Sequence, residues 1–343
     1  MLRPILNPFV EVAVKARRQL ASGVAASLAL LMVTGCTTAS LEDIGPSTAI
    51  TPKLAREIKA KGLREDDAVL VRIFKEESEL EVWKKKPTGQ YALFKTYPIC
   101  RWSGKLGPKK TIGDRQAPEG FYSVSMAQLN PRSKYYLSFN LGYPNRLESA
   151  LGYKGEALMV HGACSSAGCY AMSDQGVAEI YAIALKALQN GQQQFQVQAY
   201  PFRMNAKNMS EHQGDANMSF WRDLKVGYDS FERTRRQPNV ATCGGRYVFN
   251  KSFANGEPSD PLAACPAEIG APDLVAEAPS SDDLTVSSTP QMHSYAYVDG
   301  GMHPSFRNML KRYGPDRMAK KISNIKYPIS RPDAALSDPF IPN

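Results

Sequence analysis

The chain has 343 residues, 43% of them apolar, with a formal net charge of +9 and a pI of about 9.1. That length suits one large domain or two small ones, and the apolar share supports a buried core. Lys and Arg are scattered rather than gathered in one run, and nucleic-acid motifs are absent. The charge therefore reads as a general attraction to anionic polymer or membrane surface, with no nucleic-acid partner.

In chain order, residues 1–36 read as a targeting segment. Lys15, Arg17 and Arg18 supply positive charge, and the apolar stretch 20–33 is too short to span a bilayer comfortably. It ends at Val33-Thr34-Gly35-Cys36, which resembles a bacterial lipobox. That implies cleavage before Cys36 and lipidation on it, and several lipid chains on one residue anchor firmly. Thr37 is not the Asp that, in enteric lipoproteins, signals inner-membrane retention. The resemblance implies attachment to the outer membrane, facing the bacterial periplasm. Residues 37–65 read as a tether rich in Thr, Ser, Pro and Gly, then a short helix. Its start is Thr51-Pro52, with Leu54 and Ile58 on one face and a stop at Gly62.

Residues 68–74 alternate as a strand, and 79–84 give another, with Glu76-Glu77-Ser78 as the hairpin connection. Residues 91–99 and 120–126 add two more. Strands without intervening helices predict a mainly antiparallel sheet. Residues 103–120, rich in Gly, Pro, Lys and Asp, read as a loop. Between 131 and 145, Tyr135, Tyr136, Phe139 and Tyr143 either line a groove or, as alternation favours, enter the core.

Residues 159–174 carry the chemistry. The apolar run Ala157-Leu158-Met159-Val160 delivers His161, and Ser166-Ala167-Gly168 precedes Cys169. A thiol attacks carbonyl carbon as thiolate, and a nearby His is the usual means of making one. Gly168 lets substrate approach closely and leaves amide N–H groups for an oxyanion. Cys164-x4-Cys169 with one His does not match common zinc spacings, so no metal is expected. Asp174 can cap a helix whose one face holds Val177, Ile180, Tyr181, Ala184, Leu185 and Leu188, ended by Gly191. Its positive end lies close to Cys169 in sequence. Residues 195–199 read as a final strand, and 205–236 as helical cover with Phe220, Trp221, Leu224, Tyr228 and Phe231. Beyond 250 the chain turns rich in Pro, Ser, Ala and Asp, so 251–343 reads as a partly disordered tail with a solvated basic helix at 304–322.

His161-Gly162 followed by Ser166-x-Gly168-Cys169 resembles the signature of the L,D-transpeptidase (YkuD-type) catalytic domain, in its YafK-like branch. The resemblance includes Trp102-Ser103-Gly104-Lys105-Leu106-Gly107-Pro108-Lys109, Ala117-Pro118-Glu119-Gly120-Phe121-Tyr122, Tyr200-Pro201-Phe202-Arg203-Met204 and Cys243-Gly244-Gly245-Arg246-Tyr247. It covers residues 66–250 and implies a mainly β fold with packed helices, the L,D-transpeptidase (YkuD-like) catalytic fold.

It also implies the substrate, the peptidoglycan stem peptide at meso-diaminopimelate. Cys169 is then the nucleophile, His161 the general base and Gly168 part of the oxyanion site, with Ser166 and Gly162 as substrate-binding residues. A thioester forms and passes to an amine or to water, with no cofactor. Ala167 stands where the family often has a second His, and Ala171 where it commonly has an Arg. His161 is thus the single candidate base, and water should resolve the acyl-enzyme at least as readily as an amine. Detachment of proteins cross-linked to the wall is an alternative outcome. A non-catalytic wall-binding lipoprotein is the alternative class, and the Cys–His pair argues against it. With Cys36 lipidated and Cys169 free, an exported chain has four Cys left to pair. Cys243–Cys265 is the most local pairing outside the site, which leaves Cys100–Cys164.

Overall fold

The structure, a computed structural model, describes residues 46–269 and 300–323. The lipobox with Cys36, most of the tether, and tail residues 270–299 and 324–343 lie outside the described residues.

After helix α1 (Pro52–Ala60), strands β1 (Val69–Phe74), β2 (Glu79–Lys85) and β3 (Tyr91–Pro98) follow one another. Thr51 caps α1 by accepting the Leu54 N–H, and Leu54 and Ile58 are buried. Next come β4 (Arg101–Trp102), β5 (Gly120–Ser125), β6 (Leu129–Ser133), β7 (Tyr136–Asn140) and the short helix α2 (Arg146–Ala150). Then β8 (Met159–His161), β9 (Tyr170–Ala171), helix α3 (Asp174–Gln189) and β10 (Gln194–Tyr200) complete two five-stranded sheets. The first sheet runs β3-β2-β1-β10-β5 and the second β4-β9-β8-β7-β6.

Most pairs are antiparallel, as the closely spaced strands predict. Two are parallel: β1 with β10, and β8 with β9. The first results from a long return through the second sheet and α3, a crossover that parallel strands require. The second arises because only the short loop 162–169 links β8 to β9, and it loops back instead of making a hairpin.

Helix α3 lies between the sheets, touching β1 and β10 on one side and β7 and β8 on the other. That placement explains why burial extends beyond the predicted stripe: Ala182, Ile183 and Ala187 are buried along with Val177, Ile180, Tyr181, Ala184 and Leu188. Each large apolar side chain removed from water contributes about 1.5–3 kcal/mol. The N-cap is Ser173, whose hydroxyl accepts the Gly176 N–H at 3.1 Å; Asp174, expected to cap, is the first helical residue and is used elsewhere.

The predicted helical cover at 205–236 divides into α4 (Ala206–Glu211) and α5 (Met218–Thr234). Trp221, Leu224, Tyr228 and Phe231 are buried as the spacing required, and Phe220 is partly so. Strand β10 is not the last. A hairpin of β11 (Val240–Cys243) and β12 (Arg246–Phe249) follows, turned at Gly244-Gly245, both at positive φ. Paired glycines between alternating residues are a hairpin signature. Cys243–Cys265 closes the next segment onto this hairpin, and Phe253 bridges Glu268. The folded unit therefore runs past 250, and helix α6 (Pro304–Ile322) packs on it too, through Phe306, Met318 and Ile322.

Candidate active site

His161 ends β8, and the parallel ladder pairs Val160 with Tyr170 and His161 with Ala171. Directly paired residues share a face, and residues two apart along a strand share it too. Cys169 directly precedes β9, so the ladder brings it next to the strand that ends in the base.

The His161 ring is buried at 3% exposure. Its Nδ1 lies 2.6 Å from the Gly162 carbonyl oxygen. A carbonyl only accepts, so Nδ1 carries the hydrogen and Nε2 keeps the free lone pair. Burial pushes the imidazole down to about 4, although the Gly162 carbonyl favours the protonated form. Burial also pushes the Cys169 thiol up, against the pull of the Met159 backbone N–H and the Lys109 charge. Both partners are therefore neutral at rest. The chemistry open to such groups is that of a thiol with a general base, not of a preformed thiolate–imidazolium pair.

Cys169 is partly accessible and is the free cysteine of the described residues. Its thiol donates to the Ala157 carbonyl at 3.7 Å. Gly168 adopts φ +130°, where L side chains are strained, and an added Cβ would sit 3.4 Å from Leu158 Cδ2. Its N–H is donated to Ser166 Oγ at 3.3 Å, so it does not face an incoming oxyanion as expected. The Cys169 N–H is among the amides of this turn for which no acceptor is found among the described residues. Ser166 holds the turn rather than pointing at substrate. It donates to the Cys169 carbonyl at 2.7 Å and accepts from Ser103 at 2.7 Å.

Gly162 is likewise structural. A Cβ there would meet Asp174 Oδ1 at 2.8 Å and the Tyr135 carbonyl oxygen at 3.0 Å. Beyond it, Ala163 and Cys164 both adopt left-handed conformations, φ +66° and +52°. Strain of this kind persists only where surroundings fix it. Three ties do so: the Ala163 N–H to Asp174 Oδ1 at 2.7 Å, the Cys164 N–H to the Met172 carbonyl at 3.2 Å, and the Cys100–Cys164 disulfide.

Further residues contribute. Tyr135, 40% exposed, lies over the base with ring centroids 4.8 Å apart, while Tyr136, Phe139 and Tyr143 are core residues. Ser138 on β7 is the register partner of His161, and its buried hydroxyl has no hydrogen-bond partner among the described residues. Lys109, bound to Asp114, places a charge near the thiol. Lys75 and Glu119 form an ion pair with both side chains fully buried. Lys75 Nζ also donates to the carbonyls of Lys105, Gly107 and Ala117, while Glu119 accepts from Trp221 Nε1 and the Gly107 N–H. That network fixes the 103–119 loop whose Gln116 carbonyl lies 3.7 Å from where a Cβ on Gly168 would be. Among the described residues no group of three His, Cys, Asp or Glu is arranged to hold a metal ion.

A partly accessible thiol thus directly precedes a strand paired with the one that carries a buried, tautomer-fixed imidazole. Residues 66–198 match YkuD, the L,D-transpeptidase catalytic domain, and the chain belongs to that family. It is similar to the Escherichia coli (strain K12) protein named "Putative L,D-transpeptidase YafK", with 44% identity over 232 residues, 68% of this chain and 92% of that one. The protein of the same name from Escherichia coli O157:H7 gives the same figures. Among solved structures, the helical cell shape determining protein Pgp2 from Campylobacter jejuni aligns with a TM-score of 0.33 and 18% identity, covering 51% of this chain and 72% of that chain.

Proposed function

We propose that this protein is a peptidoglycan-modifying cysteine acyltransferase. It attacks a stem peptide at meso-diaminopimelate through Cys169 and passes the acyl group to an amine or to water. The family implies peptidoglycan peptides as substrates. The observation that supports the mechanism is the commitment of His161 Nδ1 to the Gly162 carbonyl, which leaves Nε2 free as a base on a strand whose ladder partner directly follows Cys169.

In the first step His161 Nε2 takes the thiol proton as sulfur attacks the carbonyl carbon. The Cys169 N–H is the donor available to the developing oxyanion. Collapse forms the thioester, and the leaving amine takes the proton from His161. In the second step the same nitrogen deprotonates the incoming amine or water, and collapse frees the thiol. Ala171 provides no cation to order a peptide acceptor, which favours water as the resolving nucleophile. Release of a protein cross-linked to the wall is one form of that hydrolysis. Attachment to the outer membrane through Cys36, on the periplasmic side, is proposed from the N-terminal sequence alone.

Incubation with defined muropeptides, with products read by mass, tests the reading. Cys169→Ala and His161→Gln should each abolish turnover, and the double variant should be scarcely worse, because the two act as one unit. Full turnover by Cys169→Ala would refute the mechanism. Only 3–3 cross-linked dimers, without cleaved peptide, would refute the preference for water.

A further inference from the structure

Helix α6 carries a field of charge that the chemistry at Cys169 does not use. The chain enters it by pairing Gly301 with Trp102, in two backbone hydrogen bonds of 3.0 Å, and by the His303 N–H donating to the Ile99 carbonyl at 3.1 Å. The helix is kinked at Gly314-Pro315, since proline removes a helical hydrogen bond and crowds the preceding turn. Phe306 before the kink, and Met318 and Ile322 after it, all stay in one apolar cluster with Met302, Cys100 and Cys164. What remains outward is basic. Lys311, Arg312, Arg317, Lys320 and Lys321 are exposed, against Asp316 alone.

None of those five cations is in an ion pair among the described residues, whereas Lys75, Lys95 and Arg203 in the body of the domain are each paired with glutamates. The apolar face is spent on the disulfide, so the helix cannot insert it into a bilayer as an amphipathic membrane helix does. Its place matters as well. Trp102 belongs to β4, which pairs with β9 directly after Cys169, and Cys164 belongs to the loop directly after His161.

We propose that the outer face of α6 is a docking surface for carboxylate-rich peptidoglycan, holding the polymer at the edge of the site that acts on it. This rests on the proposed function for its choice of polymer. The attraction is electrostatic and lies outside the reacting centre, so it concentrates insoluble wall material without altering the chemical step.

The test is co-sedimentation with purified sacculi, using the full chain with Cys169→Ala to prevent turnover. It is compared with the same chain also carrying Lys311→Gln, Arg312→Gln, Arg317→Gln, Lys320→Gln and Lys321→Gln. Binding should weaken about tenfold, the combined effect of several exposed pairs that are each weak. Binding of the parent should fall as salt shortens the screening length, while the substituted chain should respond little. With Cys169 intact, the five substitutions should slow turnover of sacculi and leave turnover of a small soluble muropeptide unchanged. Equal sacculus binding by the two chains overturns the proposal. So does a preference for phosphatidylglycerol vesicles over sacculi that the substitutions abolish, which would make α6 a lipid-facing surface. If neither muropeptide nor sacculi are turned over, the proposed activity fails while the binding comparison still decides the docking.

Discussion

Asp174 Oδ1, on the first residue of α3, accepts the backbone N–H of Ala163, two residues beyond the base. The central helix thereby grips the start of the loop, where the strained pair Ala163 and Cys164 lies. Asp174→Ala should strand a buried amide at a cost of about 1–3 kcal/mol. It should lower the melting temperature and reduce turnover. Asp174→Asn keeps an acceptor and should retain most of both. Thermal melts alongside muropeptide turnover check this, and an unchanged Asp174→Ala would show that the contact does not hold the loop.

The Cys100–Cys164 bridge should matter for both stability and activity. It spans a sequence separation of 64 residues, for which loop closure gives about 4 kcal/mol. Cys164→Ala also removes the covalent hold on a left-handed residue at φ +52°. The expected outcome is a lower denaturation midpoint and partial loss of turnover, with the freed Cys100 titrating as a second thiol beside Cys169. Paired urea titrations and activity assays decide it; a variant as stable and active as the parent would rule the bridge out as a support.

The pH profile should be unusual for a His-assisted thiol. With His161 pushed down to about 4, the acid limb of kcat/KM should fall at about pH 4 instead of near 6.5. Linkage gives the sign for stability. Between 4 and 6.5 the unfolded chain binds this proton more strongly than the native one. The contribution is therefore fully present above 6.5 and lost as pH falls through about 4, a change of about 3 kcal/mol. Glu148 opposes it: burial raises its carboxyl to about 7, so its contribution is present below the ordinary carboxylate range and lost as pH rises through 7. Denaturation of wild type and His161→Gln at matched pH isolates the histidine. An acid limb at 6.5 would mean that the ring is solvated.

Breaking the Lys75–Glu119 pair should be among the most damaging single changes in the chain. Glu119→Gln leaves a fully buried ammonium without its counter-charge, which costs about 3–5 kcal/mol. The damage should extend to the 103–119 loop, since Gly107 and Trp221 both hydrogen-bond to Glu119. Increased proteolysis within that loop, measured beside the melting temperature, is the signature to look for. Native-like protection would show that the loop is held by other contacts.

The candidate pair could be picked out because it is local: a base at a strand end, a glycine turn and a thiol within nine residues. The first strands and the stripes of α3 and α5 were legible because alternation and helical spacing reflect which face is buried. What surrounds the pair was not. Tyr135 could not be told from its buried neighbours, because the turn that throws it outward depends on Tyr136 adopting φ +75°. Ser138 opposite His161, and Lys75 under the loop, depend on strand register and on contacts across the chain. Asp174 looked like a helix cap because its long-range acceptor role has no local pattern. The parallel pairing of β8 and β9 was hidden because nothing in eight intervening residues distinguishes a hairpin from a return.

A protonated resting thiol also bears on how long the enzyme lasts. Peroxides and other oxidants consume thiolates far faster than thiols, and the first product, a sulfenic acid, leads on to irreversible damage. By keeping the Cys169 proton in place, burial slows the oxidation of this free cysteine. The same burial that slows the free thiol gives it a long service life.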